Sequence, residues 1–302
     1  MGSNTQKSMN SKLKQPLVSV LMTVYNREKY IGEAIDSIIA STYDHWELII
    51  VDDSSIDGSV AIAKSYAEKD KRINVYVNDK NLGDYPNRNQ AASYAKGKYL
   101  KYVDADDMIY PHGLELLVYY MEQFPESGYG LCSLPQDKFR KFPFQLNPKE
   151  AYQRHYFEQA LFHKAPLSAI INRQIFNERG GFTGKRMLGD FEMWNLLSQT
   201  HSVVLMPHGI AWYREHDEQE MADHRTDPMH PFKYILLAED LLKSPSCPLE
   251  DREKVQALKN NKIQQANAIL SAFKHHGKGK AMELSRASGI SLYKAINLKF
   301  IK

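Results

Sequence analysis

Apolar residues recur with two different periods along this chain, and the first hundred positions alternate between them. LVSVLMTVY, residues 17–25, is an apolar, β-rich run bounded by Pro16 and Asn26 and predicts a buried strand. In the following YIGEAIDSIIAS, residues Ile31, Ala34, Ile35, Ile38 and Ile39 fall at i, i+3, i+4, i+7 and i+8, the spacing of one helix face. WELIIVDDSSIDGS repeats the pair, with a strand over 46–51, a turn of Asp, Ser and Gly, and a helix near 59–69. INVYVND (73–79) predicts a third strand, NLGDYP a loop, 87–96 a helix and KYLKYV a fourth strand. Four alternations in about 90 residues predict an α/β fold, a parallel sheet covered by helices on both faces with right-handed crossovers.

Beyond residue 111 the alternation loosens. PHGLELLVYYMEQF predicts a helix with Pro111 near its first turn, GYGLCSL a strand, 150–164 a helix, and LSAIINRQIFNE a strand passing into a helix. GGFTGKRM is a glycine-rich loop, GDFEMWNLLSQT a helix with Phe191, Trp194 and Leu197 or Leu196 on its apolar side, and SVVLMPHGIAWYREH one or two strands. Helical patterns predominate from 228 to the final SLYKAINLKFIK. The expected organisation is a disordered leader over 1–15, a domain over 16–225 with halves at 16–125 and 126–225, and a helical C-terminal extension over 226–302.

The 43% hydrophobic and 25% charged content is that of an ordinary folded domain. No apolar run approaches the ~20 residues of a membrane-spanning helix, and MGSNTQKSMNSKLKQ lacks the apolar stretch of a secretory signal. Two cysteines, Cys132 and Cys247, are too few for a disulfide framework or a thiolate zinc site. Any metal chemistry then falls to oxygen and imidazole ligands, and the expected location is the cytoplasm. The net charge of +3 divides unevenly, because residues 251–302 hold eleven Lys plus Arg and three Asp plus Glu, a balance of +8 that leaves −5 for residues 1–250. An acidic body argues against a nucleic-acid partner, and the basic end points to contact with something anionic.

In parallel α/β sheets ligands bind outside the carboxyl ends of the strands. Those ends carry Tyr25 and Asn26, Asp52 and Asp53, Asn78 to Gly83, and Asp104 to Asp107, which should gather along one edge. YLKYVDADDMIY crowds Asp104, Asp106 and Asp107 within four positions. Two charges ~5 Å apart repel by roughly 3 kcal/mol at an effective dielectric of 20, so a positive group is expected among them. In one arrangement Asp106 or Asp107 caps the helix near Pro111. In the other, Asp104 and Asp106 hold Mg²⁺ or Mn²⁺, which bridges to an anionic diphosphate.

The ordered series LVSVLMTVYN, ELIIVDDSSIDGS, NLGDYPNRN and YVDADD resembles the nucleotide-binding core of family 2 inverting glycosyltransferases. Their GT-A fold is a Rossmann-like, mostly parallel sheet, and YVDADD corresponds to its DxD motif. The resemblance runs from about Pro16 to Phe124 and more weakly to about His216. It implies that Thr23, Tyr25 and Asn26 line the base pocket and that Asp53 accepts the N3 imide hydrogen of uracil. It further implies that Asn81, Gly83, Arg88 and Asn89 form a segment beside the ligand. There Gly83 lets backbone approach, and Arg88 offers a planar fork of donors to phosphate or to an aspartate. Asp104 then belongs to both the nucleotide and the metal sites. Without the resemblance, Tyr25 reads as a core aromatic and Asp53 as part of a helix cap. Asp84, Tyr85 and Pro86 stand where the family more often has small residues, and Lys101 reads as a sheet-face or edge residue.

On the acceptor side, GKRMLGDFEMW resembles the segment whose Asp deprotonates the acceptor hydroxyl. By position that residue is Asp190, with Glu192 as its rival, and Gly189 replaces the acidic residue that many members carry. AWYREH resembles a strand ending in YRxH, which implies His216 as a further metal ligand in a set that suits Mn²⁺ better than Mg²⁺. Trp194 reads as core, and Trp212 as either core or sugar contact. Leu292, Ala295, Ile296 and Lys299 make one stripe of the last helix. That helix packs on the body or on a second subunit of a homodimer, or it rests on anionic lipid at the inner face of the membrane. The resemblance implies metal-dependent, inverting transfer of a sugar from a UDP-sugar donor to a hydroxyl of a saccharide or lipid-linked acceptor, in bacterial surface polysaccharide biosynthesis. A nucleotidyltransferase and a non-catalytic nucleotide-sugar-binding subunit are the alternatives.

Overall fold

The computed structural model describes residues 15–216 and 227–299. The expected leader, apart from its last residue, and the expected boundary at 225/226 lie outside them. Strands β1 (Val18–Val24), β2 (Trp46–Asp52), β3 (Ile73–Val77) and β4 (Tyr99–Tyr102) pair in parallel in the order β3-β2-β1-β4. Helices α1 (Ile31–Ile39), α2 (Ser59–Ala67) and α3 (Asp84–Ser93) make the crossovers. Ile31, Ala34, Ile35 and Ile38 of α1 are buried as their spacing requires, whereas Ile39 is 37% exposed. Eight residues of helix carry it ~80° past Ile31 and off the stripe. Helix α3 starts three residues before the expected 87. Asp84, Tyr85 and Pro86 form its first turn, where a missing proline N–H leaves no intrahelical bond unmade.

The chain continues through β5 (Met108–Ile109), α4 (Gly113–Glu122), β6 (Tyr129–Leu134), β7 (Phe144–Leu146), α5 (Pro148–Gln153), β8 (Ala169–Asn172) and α6 (Arg173–Glu178). It then forms α7 (Gly189–Ser198), β9 (Val203–Pro207) and β10 (Ala211–Trp212). The sheet extends as β4-β8-β6-β9-β7, and only β8 and β7 run against the other six of its eight strands. The helix expected over 150–164 ends in a wide turn at 154–158, where the ring of His155 accepts the backbone N–H groups of Leu161 and Phe162 and folds the chain away. Lys101 is no edge residue: its strand is central, and its ammonium is wholly buried against the Leu167 carbonyl. The short strands β5 and β7 have no signal of their own in the sequence. Yet β5 pairs with β10 and thereby lays residues 213–216 beside the acidic turn at 104–107.

Apolar layers cover both sheet faces. One includes Leu21, Tyr102, Tyr129 and Trp194, and the other Val20, Ile50, Leu117 and Met206. Helices α8 (Met229–Lys243), α9 (Asp251–Ser288, broken at Gly277 with φ 84°) and α10 (Leu292–Lys299) follow. Phe232, Ile269, Leu284, Ile290 and Ala295 form their own core, while Leu237, Leu241 and Leu242 of α8 join the core of the body. Of the expected α10 stripe, Ala295 is buried and Leu292 packs at the core's margin, whereas Ile296 is exposed. The Lys299 side chain lies outside the described residues.

Candidate active site

The carboxyl ends of β1, β2 and β4 converge on a cleft of about 710 Å³, lined by Thr23, Tyr25, Asn26, Asp53, Asn81, Gly83, Arg88, Asp104 and Asp106. At the end of β1 the chain turns at Asn26 (φ 52°), a left-handed conformation that Asn tolerates. Its N–H donates to Ser55 Oγ at 2.8 Å, and its Oδ1 accepts the N–H of Ile56 at 3.0 Å, which locks the two loops together. This leaves the Tyr25 ring 48% exposed at the cleft, with a face open to a planar ligand. Asp53 Oδ1 accepts from Asn78 Nδ2 and the Leu82 N–H, both at 2.8 Å, and Oδ2 accepts the Gly83 N–H at 2.9 Å. Asp53 therefore shapes the loop that carries Asn81 and Gly83 while Oδ2 retains capacity for another donor. Gly83 sits at φ 87°, which a side chain would strain. Asn89 faces elsewhere, exchanging two hydrogen bonds with the Phe182 backbone at 2.8 and 2.9 Å and anchoring the glycine-rich loop.

The three aspartates have separate partners. Arg88 grips Asp104 with both terminal nitrogens, at 2.6 and 3.0 Å, and turns its Nε to Asp84 at 2.7 Å. Burial opposes the guanidinium charge, but Asp104 and Asp84 outweigh it and hold the Arg88 pKa well above its ordinary value. Asp106 Oδ2 receives Arg27 Nε at 2.9 Å and lies 3.1 Å from His216 Nε2. Asp107 accepts the Arg214 N–H at 3.0 Å and caps no helix; burial, then the charge of Asp104, raises its pKa. Arg214 Nε in turn binds the Asp106 carbonyl at 3.0 Å. The protein's own guanidinium groups thus supply positive charge that the acidic turn needs. The sequence motifs do not single out Arg27 or Arg214, although Arg27 directly follows Tyr25 and Asn26 and Arg214 is the Arg of YRxH itself.

Among the described residues, no group of three or more His, Cys, Asp or Glu side chains is arranged to hold a metal ion. The 3.1 Å between Asp106 Oδ2 and His216 Nε2 fits neighbouring ligands of one octahedral ion, which stand about 3 Å apart for bonds of ~2.1 Å. Both Asp104 oxygens face Arg88 instead.

Asp190 lies at the start of α7 and lines a second cavity, of about 700 Å³. Tyr213 lines both cavities. Burial raises the Asp190 pKa to about 6, against the Phe191 N–H bond at 2.7 Å and the charge of Arg88. This replaces the ordinary value near ~3.9. The rival Glu192 is buried and occupied, accepting from Thr183 and from Lys185 Nζ, the latter at 2.6 Å. Two departures noted in the sequence prove to be one feature. A Cβ on Gly189 would stand 2.7–2.8 Å from three atoms of the Tyr85 ring, so the glycine makes room for the tyrosine. Tyr85 Oη accepts the Asp190 N–H at 3.1 Å and ties α3 to the start of α7. Trp194 is core, with Nε1 on the Lys164 carbonyl at 2.6 Å, and Trp212 is 39% exposed.

Residues 19–180 match the family model for glycosyl transferase family 2. The chain is 36% identical over 144 residues to the Bacillus subtilis protein named "Putative teichuronic acid biosynthesis glycosyltransferase TuaG", covering 45% of this chain and 57% of that relative. It is 34% identical over 212 residues to glycosyltransferase GlyG of Streptococcus pneumoniae, covering 66% of this chain and 70% of GlyG. The crystal structure of S. aureus TarS 1–349 with UDP-GlcNAc superposes with a TM-score of 0.69 at 17% identity, over 93% of this chain and 87% of that one. The mannosyltransferase PcManGT of Pyrobaculum calidifontis, in complex with GDP-Man and Mn²⁺, superposes with a TM-score of 0.63 at 18% identity, over 95% and 86% of the two chains.

Proposed function

Because this chain belongs to glycosyl transferase family 2, we propose that it moves a sugar, with inversion, from a UDP-linked donor to an acceptor hydroxyl in bacterial surface polysaccharide assembly. The observation that carries this reading is the donor-sized cleft at the carboxyl ends of β1, β2 and β4, next to a second cavity that shares Tyr213 with it and holds Asp190, a carboxylate of raised pKa. Tyr25 offers the base a stacking face, and the remaining capacity of Asp53 Oδ2 suits the uracil N3–H. Arg88 stands beside the diphosphate path and keeps Asp104 in place. Asp106 and His216 would hold a divalent cation, Mn²⁺ or Mg²⁺, which supplies charge neutralisation to the departing diphosphate. Asp190 takes the proton of the acceptor hydroxyl. With a pKa of about 6 it is mostly ionised at pH 7 yet basic enough to accept that proton. The relatives' names support a role in polysaccharide assembly and a nucleotide-sugar donor.

No helix among the described residues is long and apolar enough to cross a membrane. The surface we assign to any membrane contact is the basic C-terminal segment, where Tyr293 and Ile296 of α10 are exposed. The deciding assay is UDP release from UDP-glucose, UDP-galactose and their N-acetyl forms with Mn²⁺ and with EDTA. Metal-dependent UDP release supports the proposal. Binding without turnover in any acceptor screen would favour a non-catalytic binder, and turnover of a nucleoside triphosphate instead would favour a nucleotidyltransferase.

A further inference from the structure

The cavity beyond Asp190 is built jointly by the body and by α8 and α9, which lie past the 19–180 family match. Two observations define its chemistry. First, aromatic rings form part of its accessible wall: His163 and Tyr213 are exposed and Tyr234 is half-buried, beside the exposed Ala160 and Pro231, and His163 stacks on Phe191 with centroids 4.6 Å apart. Second, among the described residues lining it there is no lysine or arginine, and Asp190 is the one carboxylate. Its other polar groups include neutral carboxamides, with Asn260 and Gln264 four residues apart on one face of α9. The His155 ring is fixed in its neutral state, because Nδ1 accepts two backbone N–H groups at 3.0 and 3.1 Å and the proton must reside on Nε2. Burial pushes the His155 pKa down to about 3, so it remains uncharged across the working range.

We propose that this cavity receives the acceptor as an uncharged glycoside, its ring on the aromatic wall and its hydroxyls shared between Asp190 and the carboxamides of α9. The proposal rests on Asp190 acting as the base. A pyranose has an apolar C–H face and a rim of hydroxyls, which matches aromatic rings bordered by neutral donors and acceptors. A phosphorylated acceptor would place its negative charge near Asp190 with no lysine or arginine among the described lining residues to offset it, a repulsion sufficient for at least a tenfold loss of affinity. The cavity volume of about 700 Å³ lies within the range of small-ligand sites.

Saturation-transfer NMR on the full chain with UDP and Mn²⁺ present tests this. The probes are the methyl β-glycosides of glucose, galactose and N-acetylglucosamine, each beside its 6-phosphate, with octyl β-glucoside as an apolar comparison. The expected result is a signal from at least one neutral glycoside and binding at least ~10-fold weaker for its phosphate. Asn260→Arg should narrow that gap by restoring a cation, with UDP affinity unchanged. UDP titration separates this proposal from the donor reading, because loss of nucleotide binding by the native chain would strike the donor site alone. Normal UDP affinity with no glycoside signal would overturn the proposal, as would equal or tighter binding of the phosphates. Binding that follows the alkyl chain whatever the sugar would also overturn it and would make the cavity a lipid site.

Discussion

Gly189→Ala is the sharpest test of how the start of α7 is positioned. In an unobstructed helix this change stabilises by up to about 1 kcal/mol, because alanine has the higher helix propensity. Here the new methyl would meet the Tyr85 ring at 2.7–2.8 Å, against the ~3.5 Å of ordinary carbon contact. Ring or helix must then withdraw by ~0.7 Å, and overpacking of that kind costs about 1–3 kcal/mol. The sign of the stability change is therefore opposite to the propensity effect, and a urea melt reads it directly. Tyr85→Ala removes the obstruction at its own cost, so the double variant should be no less stable than Tyr85→Ala alone, a coupling of at least about 1 kcal/mol. Turnover should fall as well, since the displaced backbone is that of Asp190 and a ~1 Å error in a catalytic group can reduce rate 100-fold. A Gly189→Ala protein more stable than the native one, or strictly additive losses in the double variant, would refute the contact and the positioning assigned to it.

Asp190→Asn should keep UDP affinity and lower kcat by about 10²–10⁴, and the native kcat/KM should fall as pH drops below about 6, where the carboxylate takes up a proton. A profile flat to pH 5, or near-normal turnover in the variant, would move the base elsewhere. Arg88→Ala strips Asp104 and Asp84 of a buried partner and should cost about 3–5 kcal/mol in denaturant melts; a loss below ~1 kcal/mol would show the clamp to be incidental. Asp106→Ala should abolish metal-dependent UDP binding in calorimetry, and an affinity equal to native with and without EDTA would remove it from the site. Deleting 290–302 takes Ile290 and Ala295 from their core and should lower the melting temperature. If α10 also rests on lipid, the deletion will reduce sedimentation with anionic vesicles, and an unchanged result would leave packing as its role.

What could be read from the sequence follows from how local each signal is. The parallel half of the sheet was legible because each strand and crossover helix buries a regular stripe, and the strand-end residues of β1, β2 and β4 had to share one edge. The second half obeys no such period: β5 and β10 are two residues each and hold together only across the fold, although their pairing is what carries His216 to Asp106. Charge was legible as a problem but only partly in its solution, since the resemblance offered Arg88 to phosphate or to an aspartate, and it grips Asp104. Crowded aspartates require further positive partners, yet Arg27 lies 79 positions away from Asp106 and nothing in its spacing points there. The same holds for the two departures at positions 85 and 189. Each read singly looks like a weakened motif, a bulky residue in a loop and a missing carboxylate. Placed 104 positions apart in sequence and in contact in space, they are complementary, and the ring that fills the gap also anchors the backbone of the proposed base. Substitutions that compensate through space leave no trace in spacing, so a motif short of one residue argues against function only once its neighbours in the fold have been inspected.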